Sequence, residues 1–326
     1  MNDNVTQLPK RKTGGGMKTA KVRNAIFFWS LALIPLIMLV FNWVFINFNS
    51  ILLAFKSYED GTMSAPDWVG FKNLKDVLSA YGGNSIMMNK SELVSGATMV
   101  RALKNSILVY LVSVVVTAVI PILFSYYMFK KMWGSSFFKV IVFMPSIVSS
   151  ICTVTIFKYI VNRVIFSLFE MKTSLLDNDN TAFGTIMFYS LWLSFGSGML
   201  TQIGAMNATD QSTIDAGQID GVGFFGELWH IVLPKSYGVI SIGFYTGFAS
   251  LFVNQLSLYA FKGESARGLI MTLGYYYYVE VQKATDAENF AKYPFWSAWG
   301  LISSAITIPV TFLLRYLVMH IGPSEE

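Results

Sequence analysis

"DAGQIDGVGFFGELWHIVLP", Asp215 to Pro234, decides how this chain is organised. The stretch is glycine-rich and carboxylate-bearing, yet it stands between apolar runs long enough to cross a membrane. A bilayer core is ~30 Å thick and a helix rises ~1.5 Å per residue, so a crossing takes about 20 apolar residues. So polar a segment belongs at a membrane face rather than within a crossing, and its purpose there has to be explained.

The composition around it is that of a membrane protein. Of 326 residues, 54% are hydrophobic and 16% aromatic, and only 13% are charged. Soluble domains carry about 25% charged residues. The net charge of +5 is small and scattered, which argues against a nucleic-acid partner. Its densest part, Lys10, Arg11, Lys12, Lys18, Lys21 and Arg23, precedes the first apolar run and reads as a cytoplasmic topology signal. The single cysteine, Cys152, excludes an internal disulfide and reads as a small packing residue. His230 and His320 stand far apart without cysteine pairs, so no metal site is expected. No catalytic cluster is expected at bilayer depth either.

Read from the start, residues 1–24 form a flexible basic tail containing Gly14, Gly15 and Gly16. Spans follow at about 25–48, 102–129, 140–161, 183–205, 239–261 and 295–319, and residues 320–326 form a short tail. The first run is longer than the apolar core of a signal peptide, and no small-x-small cleavage site follows it, so it reads as a retained anchor. The fold class is all-α and polytopic, with six transmembrane helices and both termini on one side. The basic tail and the short Lys130–Lys139 turn place that side in the cytoplasm by the positive-inside rule. Tyr275–Tyr278 reads as an interfacial or outer-surface cluster.

The opening stretch then lies in a cytoplasmic loop, 206–238. Thr209 or Asp210 can cap a helix, and Gly221 and Gly223 are natural C-terminal stops, which gives a short helix over Asp210–Ile219. Ala216 and Gly217 let another surface approach the backbone, and Asp215 and Asp220 offer acceptors to its Arg or Lys. Pro234 marks a bend before the fifth span. On these grounds alone a solvated loop helix accounts for the residues equally well.

Asp215-Ala216-Gly217-x-x-Asp220-Gly221-Val222, followed by Ile231-Val232-Leu233-Pro234, resembles the cytoplasmic loop motif of permease subunits in binding-protein-dependent ABC importers. That motif is roughly E-A-A-x-x-D-G-A, then I-x-L-P. Asp215 stands for Glu, Gly217 for the second Ala and Val222 for the last Ala, and Gly238 stands where the family often has proline. "RALKNSILVYLVSVVV", "SSFFKVIVFMPSIVSS" and "SLWLSFGSGMLTQIGAM" are similar to the family's second, third and fourth spans, so the resemblance covers about Ala25 to Arg315 and is nearest the maltose-type carbohydrate permeases. It implies the type I permease fold and a bacterial or archaeal cytoplasmic membrane. It implies a second homologous permease, two ATPase subunits and an extracytoplasmic binding protein as partners. The residues implied to couple to the ATPase are Asp215, Ala216, Gly217, Asp220, Gly221, Leu233 and Pro234. The chain contains no G-x-x-x-x-G-K-[ST], so ATP and Mg are expected on the partner subunits, with no cofactor bound here.

For the solute's path the spans offer polar residues, which are costly in a bilayer and therefore informative. Gly243, Gly247, Ser250, Asn254 and Ser257 share one helix face, as a packing stripe, a pore lining or both. Asn105, Trp192 and Gln255 are further pathway candidates. The span centres hold no Asp or Glu, which speaks against an ion-coupled carrier working alone. A carbohydrate, in particular an oligosaccharide, is expected from the resemblance, with a non-sugar solute as the alternative.

Overall fold

The computed structural model describes residues 16–58, 66–89, 92–266, 268–286 and 290–322. Lys10, Arg11 and Lys12 of the basic tail lie outside the described residues. Among the described residues, five helices are long and apolar enough to cross a membrane: Lys21–Leu53, Gly96–Phe129, Ser150–Leu168, Asp179–Met206 and Phe290–Ile321. The only strands described are two short antiparallel pairs, Lys56–Ser57 with Asp67–Trp68 and Ile86–Asn89 with Glu92–Val94.

The chain divides into two units, Met1–Leu53 and Ala54–Glu326. In the first, helix begins at Gly16 rather than at Ala25, so part of the expected flexible tail is helical. Helix Gly16–Val40 passes through a π-helical turn, Phe41–Ile46, into Asn47–Leu53. Ile26, Phe27, Leu31 and Ile37 are exposed along it, as a lipid-facing rod requires. Asn42 and Asn47 each donate to the carbonyl four residues back, at 2.9 Å, so neither amide needs a partner from outside.

The second unit departs from the expected spans in two places. The segment 140–161 is not one rod. Helix Ser135–Ile147 stops at Val148, which is extended, and a new helix starts at Ser150. The break falls in Pro145-Ser146-Ile147-Val148-Ser149-Ser150, where hydroxyls compete with the helix for backbone groups, as Ser146 does by donating to Phe143 O at 2.7 Å. Cys152, in the second piece, is exposed rather than a packing residue.

The expected fifth span, 239–261, is also broken, and it starts earlier. Phe224–Glu227, a π turn at Leu228–Val232 and Leu233–Ala249 follow one another as one helical run, 224–249. Pro234 does not end it. Leu233 N–H reaches back five residues to Leu228 O, and this widened turn gives the proline ring room within a continuing helix. The run ends at Ala249, residues 250–257 are irregular, and helix resumes at Leu258–Lys262. The sequence supplies substitutes for the lost ladder. Ser250 Oγ donates to Gly247 O at 2.8 Å, Asn254 Oδ1 accepts Leu256 N–H at 2.9 Å, and Thr272 Oγ1 donates to Asn254 O at 2.8 Å.

Helix Asp179–Met206 runs beside Gly96–Phe129, Ser135–Ile147 and Leu233–Ala249. Gly196 lets it approach closely, since a Cβ there would lie 2.4 Å from Val142 O. At the other end of the sequence, Tyr276 and Tyr277 pack on Trp296 and Trp299 at the start of the last helix, joined by Val77 and Ala80 of helix Lys72–Tyr81. Tyr275 and Tyr276 are buried, so most of the tyrosine run is core rather than an outer-surface cluster.

Candidate functional site

The short helix exists and spans Gln211–Ile219, with Asp210 at its N-cap. No side-chain bond closes that cap, and Thr209 is buried without one. The C-terminus is fixed more firmly. Gly221 has φ +79°, its N–H donates to Gln218 O at 3.1 Å, and Val222 N–H donates to Gly217 O at 2.9 Å. This pair of bonds around a left-handed glycine is the Schellman stop.

The two small residues of this helix do different jobs. Ile214 and Gly217 face inward, and a Cβ on Gly217 would lie 2.5 Å from Ile231 Cδ1. Gly217 is therefore small because Ile231 fills its space, not because a foreign surface approaches there. Ser212, Asp215, Ala216 and Ile219 are exposed, and their spacing of three and four puts them on one outward face. Ile219 is 87% exposed, an unusual placement for a large apolar side chain. Asp215 accepts from Gln211 Nε2 at 2.8 Å, and Asp220 is exposed at the C-cap. Leu233 and Pro234 open the helix Leu233–Ala249 and are only partly buried.

What mounts this helix was not among the expected residues. Glu227 is 3% exposed. Its carboxylate accepts from Lys130 Nζ at 2.8 and 3.0 Å, from Tyr126 OH at 3.1 Å and from Gln218 Nε2 at 3.3 Å. Burial pushes the Glu227 carboxyl up, but the bonds from Lys130, Gln218 and Tyr126 and the lysine charge outweigh it and hold it below the usual carboxylate range. Lys235 adds a bond to Thr213 at 3.2 Å. A lone acid inside the apolar run Phe224–Val232 is the sequence signal that points to Glu227. The same contact brings the basic Lys130–Lys139 turn and the short helix to one end of the unit.

A second site lies along the same helical run. A cavity of about 410 Å³ is walled by Gly96–Phe129, Asp179–Met206, Leu233–Ala249 and the irregular segment 250–257. Ser250 and Asn254 line it, together with Gly243, Gly247 and Ser257. Gly243 has open space where a Cβ would be, whereas a Cβ at Gly247 would meet the Tyr110 ring at 3.4 Å. The stripe thus both lines and packs. Ser106, Ser190, Thr246 and Thr272, absent from the expected set, complete a hydroxyl-rich wall, and none of the described lining residues is charged. Ser190 Oγ donates to Leu256 O at 3.1 Å and Ser106 Oγ accepts Leu273 N–H at 2.9 Å, so these hydroxyls also hold the irregular backbone. Irregular backbone at membrane depth is tolerated where it lines such a cavity.

The other three pathway candidates do not line it. Asn105 donates to Leu269 O at 3.0 Å and Met271 O at 2.8 Å, which makes it a staple for the loop after the broken span. Trp192 lies beside Tyr189, with ring centres 6.3 Å apart, and is half-exposed. Gln255 sits in the irregular segment, partly buried.

No family model matches the chain. Among curated proteins it is similar to the multiple sugar-binding transport system permease protein MsmF of Streptococcus mutans, 23% identical over 234 residues, covering 70% of this chain and 75% of MsmF. It is similar to the probable ABC transporter permease protein YurN of Bacillus subtilis, 24% identical over 63% of this chain and 70% of YurN. It also matches the maltose/maltodextrin permease MalF of Salmonella typhimurium, 26% identical over 31% of this chain and 21% of MalF. Among solved structures, a chain of a bacterial ABC transporter that imports the acidic polysaccharide alginate superposes with a TM-score of 0.70 at 14% identity, covering 94% of this chain and 99% of that one. A chain of the alginate transporter in complex with its pentasaccharide-bound periplasmic protein superposes equally, at 13% identity. The chain has the fold of that importer's membrane-spanning chain over nearly its whole length. This multi-pass membrane protein is thus similar in sequence to the permease proteins of sugar transport systems and shares its fold with a chain of an ABC importer.

Proposed function

We propose that the chain forms half of the translocation path for a carbohydrate, an oligosaccharide, in an ATP-driven importer. A second permease of the same fold supplies the other half, a binding protein delivers the solute from outside, and two ATPase subunits drive the cycle. The termini and the Gln211–Ile219 helix face the cytoplasm, where the basic Lys130–Lys139 turn also belongs under the positive-inside rule. The observation that carries this proposal is the outward face Ser212–Asp215–Ala216–Ile219 on a helix braced from behind. An exposed isoleucine beside an alanine and a carboxylate is a surface shaped to be covered by protein. The chain lacks a phosphate-cradling lysine loop, so hydrolysis falls to the subunit that covers this face.

The role in transport runs from this face to the cavity. Nucleotide-driven closure of the ATPases displaces the short helix, and the run 224–249 carries the displacement to Ser250 and Asn254. The hydroxyl and amide wall offers both donors and acceptors to a sugar. The absence of charge among the described lining residues favours a neutral solute over an acidic one. It likewise gives no support to an ion-coupled carrier.

Ala216→Arg tests the proposal. The variant should reach the membrane in normal amount but lose the ATPase during purification, and uptake with it. An ATPase that stays bound to Ala216→Arg, or that never binds the natural chain, would overturn the proposal.

A further inference from the structure

We infer that Glu227 is the positioning residue that couples the short helix to the membrane helices, acting as a two-way link rather than as part of the docking face. This rests on the proposal that Gln211–Ile219 is the element moved by the ATPase. Glu227 gathers groups from separate elements on one buried carboxylate. Gln218 belongs to the short helix, Tyr126 and Lys130 to the end of Gly96–Phe129, and Glu227 itself to the start of the run 224–249. Tyr126 OH lies the same 3.1 Å from Phe224 O, so its one proton is shared between two acceptors of the run 224–249.

The apolar contacts nearby do not duplicate this connection. Ile231 packs on Gly217 and Lys235 donates to Thr213 at 3.2 Å, which ties the short helix to the run 224–249 but not to Gly96–Phe129. Tyr126, Met206, Leu228 and Val232 form an apolar cluster that leaves the short helix out. Packed apolar surfaces resist being pushed together but slide and separate easily, because dispersion is non-directional and short-ranged. A doubly bonded ammonium–carboxylate pair resists separation and rotation as well. Three donor groups, making four bonds, also satisfy the carboxylate's acceptor sites, so the buried charge is held in one geometry. Pulling on the short helix then pulls on two membrane helices together, and the carboxylate is where the pull divides.

The test uses the complete transporter in proteoliposomes, with its own ATPase and binding protein, and reads solute taken up per ATP hydrolysed. Glu227→Gln and Lys130→Met should each keep the ATPase bound and its basal hydrolysis intact, while uptake per ATP falls about tenfold, within the usual range of coupling between sites. The double variant should fall no further than either single one, because the pair acts as a unit. Lys130→Arg, which keeps the charge and can still donate to both carboxylate oxygens, should restore most of the natural ratio. An unchanged ratio in the single variants would overturn the inference. So would a fall shared equally by hydrolysis and uptake, or additive losses in the double variant. Failure of the natural chain to bind its ATPase would instead strike the proposed function, which separates the two outcomes.

Discussion

At its start the helical run 224–249 is fastened by a buried carboxylate with donors from two other elements; past Ala249 the same run unwinds into an eight-residue segment, five residues of which line a cavity. The two ends use polar groups in opposite ways. Around Glu227 a charge pair fixes relative position. Around Ser250 and Asn254, hydroxyls and an amide replace a helix ladder with weaker, individually breakable bonds. A stiff input joined to a compliant output is what a coupling element needs, since a displacement must arrive undiminished and then change the shape of a site.

The comparison breaks most visibly at the fastened end. Glu227→Ala leaves the Lys130 ammonium, Tyr126 and Gln218 facing a void. Removing one partner of a buried pair costs about 3–5 kcal/mol, and Lys130, a quarter exposed, recovers some water, so about 3 kcal/mol is expected. A lower melting temperature in detergent at neutral pH checks it. The pH dependence has a definite sign. The carboxyl is held below its ordinary value, so its stabilisation is complete above the unfolded value of about 4.3 and is lost as pH falls through the depressed folded value. The natural chain and Glu227→Ala should therefore converge in acid. A gap that persists unchanged would mean the charge is not what fastens this end.

At the compliant end, Gly274→Ala is the matching probe. A Cβ there would lie 2.3 Å from Val253 C and 2.4 Å from Val253 O, backbone atoms of the irregular segment that have no rotamer to yield. Overpacking of this kind costs typically 1–3 kcal/mol, and about 2 is expected. Because the strain falls on the cavity wall, uptake should suffer while the ATPase remains bound. Back at the fastened end, Gly217→Ala is milder: the contact is the tip of Ile231, which can turn away, for ~1 kcal/mol. Ile231→Val should relieve it, making the pair non-additive in a melting series.

The fastened end was the more legible of the two in the sequence. Gly221 announced a helix stop and proved to have φ +79°, and the cap candidates Thr209 and Asp210 located the helix within one residue of its start. Those signals are local, set by backbone conformation within a turn. Glu227 stands out in the sequence only as a lone acid in an apolar run; its role was not legible, because that depends on Lys130 and Tyr126, about a hundred positions away. The broken fifth span was hidden for a different reason. Ser250 to Ser257 contains Leu251, Phe252, Val253 and Leu256, so composition reads as continued membrane helix. Only tertiary partners, Thr272 and Ser190 among them, make the unwound backbone affordable at depth. Gly217 teaches the same lesson in reverse, since its smallness suggested a partner's surface and the space belongs to Ile231.

The smallest expected effect sharpens the comparison furthest. Leu256 and Ser257 both hold positive φ, +51° and +58°, in the segment where the cavity wall turns back into helix. A left-handed conformation costs an L-residue roughly 1–2 kcal/mol, and glycine escapes that cost while losing roughly 0.5–1 kcal/mol of chain entropy on folding. Leu256 is buried, so replacing it would confuse strain with lost packing. Ser257 is only partly buried, so Ser257→Gly is the better probe of strain, with Ser257→Ala as the control for the lining hydroxyl that it also removes. The net effect of Ser257→Gly should be a gain of about 0.5 kcal/mol, seen as a slightly higher melting temperature. If the strained turn serves only as a connector, uptake will follow stability and be unchanged. If it keeps the cavity wall poised between two shapes, relieving it will settle the wall in one of them, and uptake will fall although the protein is more stable. The second outcome is expected, because two adjacent non-glycine residues in this conformation would not persist beside a solute cavity without the bonds from Asn254 and Ser190 that hold Leu256 there.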